Sequence, residues 1–193
     1  KQIILAVGAV KTFGYPEFFA PDFYQAGAFR EGTRVRADQQ PRLLEAACRF
    51  VTRVVERYRN HTAVIAWQVE HEALDPLGME HSWRLDKDFL LREIAAVRAA
   101  DPDRPILLNG FLGNSTLAAA TQWWRTRDQG DSLSAAQRLG DWIGVDYYPR
   151  HALFSLGPAS VYLDGSNTPW QIARRRRLAE DVHAQGRTLL VSE

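Results

Sequence analysis

Apolar runs and amphipathic stretches take turns along this chain, and that rhythm leaves few architectures open. The runs are Ile3–Gly8, Ala63–Val69, Pro105–Asn109, Trp142–Tyr147 and Leu189–Glu193. They are short and nearly continuous, the pattern of strands covered on both faces. Between the first two, Leu43, Leu44, Ala47, Phe50, Val51, Val54, Val55 and Tyr58 recur at helical spacing, with Arg49, Arg53, Glu56 and Arg57 on the opposite side. A second helix is predicted over Asp86–Ala100, closed by Asp101-Pro102, and a third region over Leu117–Leu139, interrupted near Gln129-Gly130-Asp131. The fourth opens at Thr168, with Pro169 in the first turn and Gln171 completing a capping box, and stops at Gly186. Strict strand–helix alternation predicts an α/β fold with a parallel sheet and right-handed crossovers. No repeat period, low-complexity tract or linker composition divides the chain, so residues 1–193 are read as a single domain.

Two of the runs stop on a carboxylate. Val64-Ile65-Ala66-Trp67-Gln68-Val69-Glu70-His71-Glu72 and Leu189-Leu190-Val191-Ser192-Glu193 each carry an apolar strand to an acidic tip. Parallel α/β enzymes build their sites from the loops at that edge of the sheet. Two such tips, far apart in sequence, meet only if the sheet closes on itself, as in a barrel. Within the first tip the spacing alone leaves Glu70 and Glu72 in competition.

Charge and cysteine content exclude several other functions. Lys and Arg number 24 against 23 Asp and Glu, a net charge of +1, which supplies no field for nucleic acid or an anionic membrane. The run Arg174–Arg177 occupies consecutive helix positions that cannot all face one partner. Cys48 is the single cysteine, so no disulfide or thiolate metal cluster forms within the chain. His71-Glu72-Ala73-Leu74-Asp75 lacks the second His of a zinc-protease helix, and no metal or other cofactor is expected. Gly8-Ala9-Val10-Lys11 lacks the glycines of a dinucleotide loop, which argues against a doubly wound nucleotide-binding domain. No apolar stretch reaches the roughly 18 residues that span a bilayer.

Three strand ends resemble one family in the right order. Trp67-Gln68-Val69-Glu70-His71-Glu72 resembles the fourth-strand end in clan A of the retaining glycoside hydrolases, where an Asn-Glu pair presents the acid/base. Leu190-Val191-Ser192-Glu193 is similar to the seventh-strand end, whose Glu is the nucleophile. Asp141–Pro149 is similar to the sixth strand, where a Tyr hydrogen-bonds that nucleophile. Ile3–Gly8 with Gly14-Tyr15-Pro16-Glu17-Phe18 then corresponds to the third strand and its loop, and Pro105–Asn109 to the fifth. The resemblance implies a partial TIM (β/α)8 barrel of about five parallel strands, third to seventh, with outer helices. It lacks the first two strands and the eighth, since a whole barrel runs to about 250 residues. In the clan the residue before the acid/base is an Asn that contacts the sugar 2-hydroxyl, whereas here it is His71, whose imidazole can also donate a hydrogen bond.

The resemblance assigns Glu72 as acid and then base, and Glu193 as nucleophile of a two-carboxylate double displacement on β-linked glycosides. Expected substrate contacts are His71, Tyr148, Trp67 and Asn109. Counting by two along the sixth strand puts Gly144, Asp146 and Tyr148 on one face and Val145 and Tyr147 on the other. Tyr148 is therefore the expected partner of Glu193, with Tyr147 close behind. The expected partner of the protein is an oligosaccharide or polysaccharide, with neither nucleic acid nor membrane. The alternative is a non-catalytic carbohydrate-binding barrel in which His71 replaces a contact that turnover needs.

Overall fold

A computed structural model describes residues 1–11, 34–76, 84–113, 115–148, 150–156, 159–164 and 168–192. The predicted loop Gly14–Phe18 and the terminal Glu193 lie outside the described residues. Five parallel strands form the main sheet: β1 (Ile3–Ala6), β3 (Val64–Gln68), β5 (Ile106–Phe111), β6 (Trp142–Asp146) and β9 (Thr188–Val191), hydrogen-bonded in that order. The order carries no reversal, the switch that a doubly wound sheet would show. Right-handed crossovers in one direction put the helices on one side of the sheet, as in a partial (β/α)8 barrel.

Each helix follows from its own sequence. In α1 (Pro41–Tyr58) Pro41 sits in the first turn, and Leu43, Ala47, Val51 and Val55 form a buried stripe at every fourth residue. α2 (Lys87–Ala100) is capped by Asp86, whose side chain accepts from the Phe89 N–H at 2.8 Å. The predicted interruption splits the next region into α3 (Thr116–Thr126) and α4 (Ser132–Leu139), with Gly130 at φ +87° and Asp131 capping α4. α5 (Pro169–Ala184) starts on the Thr168–Gln171 capping box and ends before Gly186, at φ +66°.

Two small ladders were not anticipated from the sequence. β2 (Arg34–Val35) pairs in parallel with β4 (Arg84–Leu85) beside the main sheet, burying Val35 and Leu85. Between β6 and α5, β7 (Arg150–Leu156) pairs antiparallel with β8 (Ala159–Asp164).

Strand register sorts the side chains. Leu108 lies beside Ile143, and both join the core under the helices with Ile106, Val145 and Val97. Asn109 lies beside Gly144 and Phe111 beside Asp146, so polar groups collect on the other face near the C-terminal strand ends. A Cβ on Gly144 would stand 2.7 Å from both the Asn109 Cβ and the Ser192 Oγ, so only glycine lets these neighbours close over β6.

Candidate active site

Four strand ends converge on a buried polar cluster. Lys11 follows β1; Glu70, His71, Glu72 and Asp75 follow β3; Asn109 lies on β5; Asp146 ends β6. All seven are less than 9% exposed. Burial of this many charged groups requires mutual pairing.

Asn109 is the hub. Its Oδ1 accepts the Glu72 N–H at 3.1 Å, which fixes which end of the amide is oxygen. Its Nδ2 then donates to Asp146 Oδ2 at 2.7 Å and to His71 Nδ1 at 2.9 Å. An acceptor at Nδ1 places the neutral ring's proton on Nε2. The second Asp146 oxygen accepts from the Ser192 hydroxyl at 2.7 Å, and the Ser192 N–H donates to Val145 O at 3.0 Å. That pair of bonds fixes the backbone one residue before Glu193.

The Glu72 carboxyl faces Asp75, Asp146 and Lys11. Burial, and after it the charges of Asp75 and Asp146, push its pKa up to about 9, with a hydrogen bond to Asp146 acting in the same direction. Lys11 pulls the other way. Glu72 therefore carries its proton at neutral pH. The raising charges come from Asp75 and Asp146, neither of which the sequence analysis singled out.

Glu70, its competitor at the strand tip, is occupied otherwise. Its Oε1 accepts the N–H groups of Ala9 at 2.8 Å and Val10 at 2.9 Å, and its Oε2 accepts the Lys11 N–H. A Cβ at Gly8 would lie 2.4 Å from the Glu70 nitrogen, so glycine is required where β1 passes this turn. Behind Glu70 lies the fully buried Glu93 of α2, whose carboxyl is raised well above its ordinary range by burial and then by Glu70. A hydrogen bond between the Glu93 and Glu70 side chains acts in the same direction, since a protonated Glu93 can donate to the Glu70 carboxyl. Asp75 accepts the Ser132 N–H at 2.9 Å, and burial raises it to about 6 against the pull of Lys11.

The remaining expected contacts separate. Trp67 requires correction: its indole is wholly buried on the helix side of the sheet, beside Ile106, and donates to Asp101 Oδ2 at 3.1 Å. It braces the barrel wall and cannot reach a sugar. Asn109 stands at the site, with its amide engaged by Glu72, Asp146 and His71. Tyr148 is 38% exposed, with its ring 6.4 Å from that of Phe111. Tyr147 lies on the other face, where its hydroxyl accepts from Arg175 of α5. The expected pairing of Tyr148, or of Tyr147, with Glu193 lies outside the described residues, because Glu193 does.

Lys11, Asp75, Asp146 and Ser192 were missed by reading the sequence. The alternation along β6 already put Asp146 on the face of Gly144 and Tyr148. Nothing in the spacing ties Lys11 to Glu72, because they meet across neighbouring strands. His71, Glu72 and Asp146 each bring a possible ligand atom within 4.8 Å of the others. The Asp146 oxygens and the His71 Nδ1 are already bonded to Asn109 and Ser192, so the cluster reads as a hydrogen-bond network sharing a proton. Among the described residues no helix is long and apolar enough to cross a membrane.

Parallel strands in this order, with buried carboxyls at their C-terminal edge, define a protein of the α/β-barrel class. The chain belongs to the glycosyl hydrolases family 2, TIM barrel domain, whose model matches residues 5–133. Its fold is similar to an endo-1,4-beta-xylanase from Caldicellulosiruptor owensensis, at 15% identity and a TM-score of 0.50, over 98% of this chain and 50% of that one. A beta-D-glucuronidase from Dictyoglomus thermophilum matches 57% of this chain and 14% of its own, at 20% identity and a TM-score of 0.34. The chain thus spans half or less of either structure's length. No curated protein matches it.

Proposed function

We propose that this chain carries the acid/base half, and most of the catalytic edge, of a retaining clan A glycosidase that hydrolyses β-linked oligosaccharides or polysaccharides. The observation that carries the reading is Glu72: a buried carboxyl at a strand tip of a glycoside hydrolase barrel, held protonated at neutral pH. In the first step Glu72 gives its proton to the leaving oxygen while Glu193 attacks the anomeric carbon, forming a glycosyl ester. In the second Glu72, now a carboxylate, takes a proton from water, which attacks the anomeric carbon and frees Glu193. Asn109 holds the Glu72 peptide through both steps. His71, with its proton on Nε2, is assigned to a sugar hydroxyl in the place of the clan's Asn.

The test uses aryl glycosides of graded leaving-group ability and the full-length protein. Glu72→Ala should cut turnover of poor leaving groups by about 100-fold or more, yet spare glycosylation by good ones, which need little protonation. Glu193→Ala should abolish the covalent intermediate. Full activity after either substitution would sink the assignment. Oligosaccharide binding with no turnover in the unmodified protein would favour the non-catalytic barrel.

A further inference from the structure

The turn that presents Glu72 has an unusual backbone. Glu70 at φ +58° and Glu72 at φ +42° both occupy the left-handed region that L side chains avoid. Such conformations persist where their surroundings over-determine them, and they gather at functional sites. Lys11 supplies much of that determination. Its N–H donates to Glu70 Oε2, its C=O accepts the His71 N–H at 2.7 Å, and its ammonium donates to the main-chain carbonyls of Glu72 and Asp75. Side chain and backbone of one residue thus grip the turn at four points.

We propose that Lys11, seated by the Glu70 carboxylate, is a positioning residue for the acid/base: its ammonium locks the Glu72 peptide in place, and its charge keeps the Glu72 proton transferable. The proposal rests on Glu72 being the acid. A carboxyl buried beside Asp75 and Asp146 would otherwise hold its proton too tightly to surrender it to a leaving oxygen. The charged groups facing Lys11 are Asp75, Glu72 and Glu70, which favour its cation, and Arg84 of β4, which opposes it. Those facing Glu72 are Asp75, Asp146 and Lys11. Burial lowers Lys11 to about 8 against the pull of its acidic neighbours, so the ammonium still persists at neutral pH.

A residue that merely filled space would be replaced by methionine at little catalytic cost. In the full-length protein, Lys11→Met should move the alkaline limb of kcat/KM upward by about one pH unit, because the unmodified limb begins with proton loss from Lys11 near 8 and the variant keeps only that of Glu72, near 9. On glycosides with poor leaving groups kcat should fall about tenfold or more, with KM within about twofold and a smaller loss on activated substrates. Glu70→Gln, which loosens the seat while keeping its shape, should lower kcat in the same pattern by less. An unmoved limb in folded Lys11→Met, or equal losses on both substrate types, overturns the proposal. So does failure of both variants to fold by circular dichroism, which would make the role purely structural. Glu72→Gln assayed alongside separates the two readings: if it keeps full activity on poor leaving groups, the acid/base assignment fails whatever the Lys11 variants do.

Discussion

Single side chains at this site do more than one job, and their substitution should show it. Gly8→Ala would press a methyl against the Glu70 backbone at 2.4 Å, where neither strand can retreat without breaking the Ala9, Val10 and Lys11 bonds. A loss of about 1–3 kcal/mol is expected from the overpacking, read from the urea midpoint. Asn109→Ala removes three partners at once. Its expected signature is a fall in kcat of about 100-fold with a smaller change in KM, since a slight misplacement of the proton donor is costly. The acidic tip of β3 was legible because an apolar run announces its own end. The choice of Glu72 over Glu70 came only from the family resemblance, and the bonds that occupy Glu70 could not be seen in the sequence. Trp67 belongs to the core rather than the site because side chains alternate along β3 with a period of two. That period sets Trp67 with Ile106 toward the helices.

Elements were more readable than sites, since each carries its own start and stop. Asp86, Ser115, Asp131 and Thr168 all cap helices through bonds to a main-chain N–H a turn ahead. Thr168→Ala should lower stability by about 1 kcal/mol through loss of its capping box, and Thr168→Ser should restore most of it, both measurable by thermal melting. The β2–β4 pairing stayed hidden because two residues make no pattern. It is held by context instead: Leu85 N–H donates to Ala73 O at 2.8 Å, and Arg34 and Arg84 each meet Asp128 at 2.9 Å. The β7–β8 hairpin was passed over because the alternation called for a helix after β6.

Across the molecule, the buried carboxyls set how stability responds to pH. Glu72, Glu93 and Asp75 all bind protons more tightly folded than unfolded. Their contribution is complete below about pH 4 and is lost as pH rises, through about 6 for Asp75 and about 9 for Glu72. Lys11 acts oppositely, regaining stability only above about 8. The melting midpoint should therefore fall between pH 5 and pH 8, as calorimetry can establish. Glu93→Gln should flatten that fall, because a neutral amide replaces a fully buried carboxyl that holds its proton well above the ordinary range. A rising midpoint over the same interval would contradict this account.

The three N–H groups of Ala9, Val10 and Lys11 converge on one carboxylate much as loop amides cradle a phosphate, with the chain providing its own anion in Glu70. Removing that anion should leave a receptor shaped for another. In Glu70→Ala, added formate should raise the melting midpoint and restore part of the lost turnover, while leaving the unmodified protein untouched.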